Sequence, residues 1–242
     1  VMKPNCSVIV ASLIATAISG VPARAYEEGP VPQGGSIQGK VIFNGALETR
    51  KIIPNKDLQV CDGPRDEPLI DVGPDKAVQN AVVYLAQVAK GKAWPAQAGQ
   101  AKTPELVNHN CRFEPKVQVI RGGPLVVVNS DPILHNTHGY YGKRTAFNMA
   151  LPNEGQRIPT ELTRAGTVRI DCDAHGWMEG WIYVVENPYY AITGADGKFS
   201  IADVPPGNYT LVAVQSLTGP VQQSVTVAAG KPTELTIELM KQ

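Results

Sequence analysis

Ile170-Asp171-Cys172-Asp173-Ala174-His175-Gly176-Trp177-Met178 is the stretch from which the rest of this chain is read. It follows Thr167-Val168-Arg169, and the run Thr167 to Asp171 alternates apolar and polar residues as a half-buried strand does. Side chains two apart on a strand share a face, so Val168, Ile170 and Cys172 point the same way, into an apolar core. The Cys172 sulfur therefore faces inward at the strand's end. Beyond it the chain turns, and His175 and Met178 can fold back toward the same point. A second imidazole comes from Val128-Asn129-Ser130-Asp131-Pro132-Ile133-Leu134-His135-Asn136, which leaves an apolar strand, turns at Asp131-Pro132 and presents His135. In a β sandwich two loops at one end converge despite their distance in sequence.

Two imidazoles, one thiolate and one thioether are a recognisable donor set. Two histidines and a cysteine make a trigonal arrangement, and methionine adds a weak axial contact, the combination of blue copper electron-transfer sites. Zinc is the main rival, but methionine is not one of its usual ligands. The expected cofactor is one mononuclear type 1 copper held by His135, Cys172, His175 and Met178. The chain's other histidines read differently. His138, three residues from His135 on an extended segment, turns to the opposite face, and His109 beside Cys111 has no partner motif. Met149, Trp177 and Trp181 read as packing residues, with Trp177 also placed to cover the site.

The chain is mostly β. Its 20 prolines and 23 glycines punctuate short runs rich in Val, Ile and Thr. Strands are expected at Ser36–Phe43, Ala81–Leu85, through a dense region from Val107 to Val185, and at 211–214, 224–227 and 234–239. Asp196-Gly197, between Ile192 and Phe199, signals a hairpin, because glycine accepts the positive φ of a tight turn. Glu48 to Asp75 is a polar, proline-containing stretch, and Gly91 to Pro104 reads as a linker. Residues 1–25 have the form of a secretory signal peptide: Lys3, an apolar run over 8–18, then Ala23-Arg24-Ala25. The apolar run is shorter than the ~20 residues of a membrane span. Periplasmic or secreted localisation follows as an expectation, with no membrane span after cleavage. The 22 basic residues, less Lys3 and Arg24, face 22 acidic ones and form no basic stripe, which argues against nucleic acid as a partner. Of the cysteines beyond the leader, Cys61, Cys111 and Cys172, two can pair in an oxidising compartment and one is left over.

The pattern Cys172-x-x-His175-x-x-Met178, with His135-Asn136 leaving an upstream strand, resembles the cupredoxins, particularly amicyanin- and plastocyanin-like ones. The resemblance implies a Greek-key sandwich over residues 105–187, the four ligands named above, and single-electron transfer. It also implies that Asn136 ties the two ligand loops together. Gly176 departs from it, since related loops often carry proline there. The flanks are similar to carboxypeptidase regulatory-like (transthyretin-like) sandwiches, through 190–199 (Tyr-Ala-Ile-Thr-Gly-Ala-Asp-Gly-Lys-Phe) and Val204-Pro205-Pro206-Gly207-Asn208. Their usual first strands look like Ile37–Val41 and Ala81–Leu85. The expected architecture is thus all-β: a cupredoxin sandwich inserted into a transthyretin-like one, whose parts are 36–88 and 188–242.

A Cys61–Cys111 disulfide would leave Cys172 for the metal and would close a long loop, typically worth ~2–4 kcal/mol. The functional expectation is an exported electron carrier and not an enzyme, served by a redox partner such as a cytochrome or a periplasmic oxidoreductase. His175 is expected nearer solvent than His135, with Gly176 and Trp177 forming a docking patch. Two other readings stay open: copper storage or delivery by the same ligands, and a scaffold module with a vestigial site.

Overall fold

The computed structural model describes residues 25–95 and 103–241. The leader expected at 1–25 lies outside them except for Ala25, as does the middle of the expected linker at 91–104. No helix among the described residues is long and apolar enough to cross a membrane.

Two β sandwiches lie side by side. The site-bearing sandwich has one sheet in the order Arg157–Leu162, Gly123–Asn129, Glu105–His109, Arg112–Glu114. Its other sheet runs Arg144–Leu151, His135–Tyr141, Gly166–Cys172, Glu179–Val185, Val117–Arg121. Between them lies a core that includes Leu106, Leu125, Val127, Leu151, Ile170 and Ile182. The alternation read at Thr167–Asp171 is realised: Val168, Ile170 and Cys172 are buried and Thr167 and Arg169 exposed. Antiparallel pairing sets Thr137 opposite Cys172, so the start of the His135 strand lies beside the end of the Cys172 strand.

The flanking sandwich is assembled from both ends of the chain. Gly35–Phe43 sits between Lys198–Val204 and Pro232–Leu239, and Val82–Ala86 between Tyr190–Ile192 and Gly207–Gln215. The early strands therefore pair with strands beyond residue 189, and the site-bearing sandwich is inserted between them. The two bodies meet at a seam of Val82, Tyr183 and Val214, flanked by Tyr84, Val117, Val119 and Trp181. This explains the apolar run at 81–85: Val83 and Leu85 face the flanking core and Val82 the seam.

Two expectations need correction. The tight turn at Asp196-Gly197 forms, with Gly197 at φ 70° and its N–H donated to the Gly194 carbonyl at 2.9 Å. Yet the strands on either side lie in different sheets, so there is no hairpin ladder. Thr193 is drawn to the Val82 side, where its hydroxyl donates to the Val78 carbonyl and accepts from the Ala81 N–H, whereas Lys198 pairs with Lys40 of the other sheet. Second, residues 49–68, within the expected 36–88 segment, leave the flanking sandwich. Thr49–Ile52 and Arg65–Pro68 pair as a two-stranded ribbon, with the helical turn Leu58–Cys61 between them. The ribbon straps across the site-bearing sandwich: Arg50 bonds the Glu179 carboxylate at 2.9 Å and the Trp177 carbonyl at 3.2 Å. Cys61 is buried in that sandwich's core.

Candidate metal centre

The site is built where two turns meet. On one side Asn129 organises the excursion that ends at His135. Its side-chain amide donates to the carbonyls of Ile133 at 2.8 Å and Leu151 at 3.0 Å, and its Oδ1 accepts the Asp131 N–H at 3.0 Å. On the other side the loop after Cys172 is folded back by the His175 N–H to the Cys172 carbonyl at 3.2 Å and the Met178 N–H to the His175 carbonyl at 2.9 Å. Asn136 ties the two together through its backbone. Its N–H points to Cys172 Sγ at 3.4 Å, and its carbonyl accepts the Asp173 N–H at 3.0 Å. Its side-chain Oδ1 is buried without a hydrogen-bond partner.

The donors converge closely. Cys172 Sγ lies 3.7 Å from Nδ1 of His135 and 3.7 Å from Nδ1 of His175, and the two Nδ1 atoms are 3.2 Å apart. This triangle is closed off from water: Cys172 is 1 % exposed and both histidines 0 %. Met178 is 3 % exposed and packs in the same core cluster as Cys172. Each imidazole turns its far nitrogen to a carboxylate, His135 Nε2 to Asp131 at 2.8 Å and His175 Nε2 to Asp57 at 3.0 Å. An Nε2–H given to a carboxylate fixes the tautomer and leaves the Nδ1 lone pair aimed at the shared point, the usual arrangement behind a histidine ligand. Two such nitrogens and a sulfur fit a soft, trigonally bound metal such as copper. Burial pushes the Cys172 thiol above its ordinary pKa, opposed by the backbone N–H groups of Asn136, His175 and Ala174. Burial likewise pushes His135 down, against the pull of Asp131. Both shifts keep uncharged donors until a cation arrives, and a metal binding here displaces the thiol proton.

Four residues taken from the sequence as ligands thus lie at one end of one core, three of them with donor atoms in mutual reach. His138 and His109 stand apart. His138 faces away, with Nδ1 near Asp173 at 3.0 Å and the Tyr140 hydroxyl at 2.6 Å, and His109 contacts Glu114 at 3.3 Å. Cys61 and Cys111 are joined as a disulfide, and Cys172 is the one free cysteine among the described residues. The expectation that His175 lies nearer solvent is not met. Asp57 covers its Nε2 edge, and the Trp177 ring lies 5.2 Å from its own ring.

Asp57 and Asp131 were missed by reading the sequence. Asp131 stands four residues before His135 in a turn quoted above, a spacing that could have flagged it. Asp57 belongs to a polar stretch remote in sequence, and its left-handed backbone (φ 53°) at the start of Leu58–Cys61 has no local signature.

The model for the carboxypeptidase regulatory-like domain matches residues 182–240. Among curated proteins none matches. Three solved structures are similar to part of this chain. A purple cupredoxin from Nitrosopumilus maritimus is 21% identical, with TM-score 0.30, over 34% of this chain and 99% of that one. Amicyanin from Paracoccus versutus is 18% identical, with TM-score 0.31, over 39% and 92%. The copper-containing nitrite reductase of Thermus scotoductus SA-01 is 23% identical, with TM-score 0.32, over 41% of this chain but only 26% of its own length.

Proposed function

We propose that this chain is an exported protein holding one mononuclear type 1 copper at His135, Cys172, His175 and Met178, and that it carries single electrons between redox proteins. The observation that carries this reading is the buried triangle of Cys172 Sγ and the two Nδ1 atoms, each edge between 3.2 and 3.7 Å. Copper bound there would supply reversible one-electron exchange between Cu(II) and Cu(I). The protein's part is to hold the donors still: Asp131 and Asp57 fix the imidazole tautomers, the Asn136 N–H steadies the sulfur, and the surrounding core excludes water. A donor set that does not rearrange between oxidation states keeps the reorganisation small.

Four protein donors leave no open position for a substrate, unlike catalytic metal sites, so the reading includes no bond chemistry of the chain's own. A cytochrome or another oxidoreductase is the class of partner implied. The test is a visible absorption and EPR spectrum of the copper-loaded protein, with Cys172→Ser as control. An intense blue, reversibly bleached band that Cys172→Ser abolishes is expected. Colourless, exchangeable Cu(I) binding would instead favour copper delivery, and failure to bind copper tightly would overturn both.

A further inference from the structure

The Cys61–Cys111 disulfide is not a staple between surface loops. Both residues are 0 % exposed, and their sulfurs lie with a ring nitrogen of His175 inside a set whose members are all within 4.8 Å of one another. A second set of the same tightness joins Cys111 to Asp131 and His135. The crosslink therefore packs directly against the imidazole pair. Its Cα atoms are 5.0 Å apart, so the two sulfurs remain neighbours when the bond between them is opened.

We propose that Cys61, Cys111 and His175 form a second copper site, specific for Cu(I) and available only when the disulfide is reduced. As a disulfide the pair has no thiolate to offer. As a dithiol it presents two soft donors beside an imidazole, a set that selects Cu(I). A dithiol reductant attacks the disulfide through its thiolate and passes two electrons and two protons to the protein sulfurs, becoming a disulfide itself. Cu(I) then replaces the two thiol protons, which leave to solvent, and copper keeps its oxidation state throughout. Cys111, though buried, borders a cavity of about 210 Å³ that is also lined by Met178, Trp177, Arg50 and Glu67, so opening of the strap there would let a reductant or a copper donor reach it.

This site goes beyond electron carriage and shares only His175 with it. Both donor sets draw on the His175 ring, so disulfide reduction would place a second set of soft donors directly beside the Cys172 set.

The test uses the full chain carrying Cys172→Ser, which removes the first site and leaves the second intact. Cu(I) is offered as its bicinchoninate complex, anaerobically, before and after dithiothreitol treatment and desalting. The reduced chain should withdraw one Cu(I) per chain, and the oxidised chain should bind at least about a hundredfold more weakly, since its soft thiolates are absent. Adding Cys61→Ser should abolish the uptake, and adding His175→Ala should weaken it by about tenfold or more, within the range expected for a metal-site contact. X-ray absorption should report two sulfur neighbours and one nitrogen. Equal uptake by oxidised and reduced chains would overturn the proposal. So would uptake indifferent to His175→Ala, which is the behaviour of two thiols on an unfolded chain. Neither result depends on whether the wild-type chain forms a blue site.

Discussion

Replacing Asp131 by alanine takes one carboxylate from beneath the site and strands three donors. The group is 2 % exposed. Its Oδ1 accepts the Asn110 N–H at 2.7 Å, and its Oδ2 accepts the Cys111 N–H at 3.0 Å and faces His135 Nε2 at 2.8 Å. Asn110 and Cys111 both hold positive φ, at 48° and 53°, so the carboxylate also clamps an unusual turn. A buried donor left unpaired costs ~1–3 kcal/mol. Cys111 and His135 are fully buried, whereas Asn110 is exposed and its N–H can turn to water. Two full penalties and a partial one give a loss of about 2–7 kcal/mol, a large part of the ~5–15 kcal/mol that holds a typical protein folded. Asp131→Asn keeps one acceptor oxygen of the same shape and should lose about 1–2 kcal/mol. The assay is urea unfolding of the metal-free protein followed by tryptophan fluorescence, since Trp177 and Trp181 both belong to the site-bearing sandwich. The midpoint should fall while the slope with urea stays constant. Copper affinity, measured by chelator competition, should fall about 10–100-fold in both variants, because the carboxylate behind His135 is gone. A loss under about 1 kcal/mol for Asp131→Ala, below the cost of a single stranded donor, would refute the accounting.

Asp57→Ala should uncover the Nε2 edge of His175 and speed removal of copper by an external chelator, and Asp57→Asn should change it less; identical removal rates in stopped-flow would show that Asp57 is not a cover. Met178→Leu should keep copper but raise the reduction potential, as a weak axial donor to Cu(II) is lost; voltammetry showing a lower potential would count against Met178 as the axial ligand. Burial opposes the ionised form of Glu67, but the hydrogen bonds and charges of Arg65 and Arg50 prevail and hold its carboxylate below the usual range. A carboxylate depressed in the folded state adds stability above its unfolded pKa and loses it as pH falls through the lower folded value. Glu67→Gln should therefore be less stable than the parent at neutral pH and converge with it in acid; a thermal-unfolding difference constant from pH 7 to pH 3 would rule this out.

What the sequence disclosed follows from range. The parity of Val168, Ile170 and Cys172 is local, and so is the loop that returns His175 and Met178, so both could be read directly. The insertion of one sandwich into another was legible because the early strands resemble the opening of the same fold that the late turns complete. The covering of His175 was not, because it depends on a polar segment more than a hundred residues upstream. Nothing in Glu48 to Asp75 resembles a strand by hydrophobic alternation; Thr49–Ile52 and Arg65–Pro68 are held as strands by pairing with each other and by the cross-strand ion pair Arg50–Glu67 at 3.4 Å. The false hairpin at Asp196-Gly197 has the same origin. A turn's residues set its backbone, but which sheet takes each arm was decided here by Thr193 and Lys40, far apart in sequence.

The strap also follows from the insertion. The segment between Phe43 and Val82 connects two strands that lie in opposite sheets of the flanking sandwich, and a short crossing would satisfy that connection. The longer path runs over the neighbouring sandwich, where it is fixed at three points: Arg50 to Glu179 and the Trp177 carbonyl, Asp57 to His175, and Cys61 to Cys111. Each of these anchors touches the loop after Cys172, the turn at Asn110-Cys111 or a candidate ligand itself. The Glu179–Val185 strand that follows Met178 is meanwhile held from outside, where Trp181 and Tyr183 face the seam with the flanking sandwich. The candidate site is thus gripped from two directions, by the strap and by the flanking sandwich, neither of which contributes a ligand to the Cys172 set. Loosening either grip should change how the site exchanges metal before it changes the fold of either core.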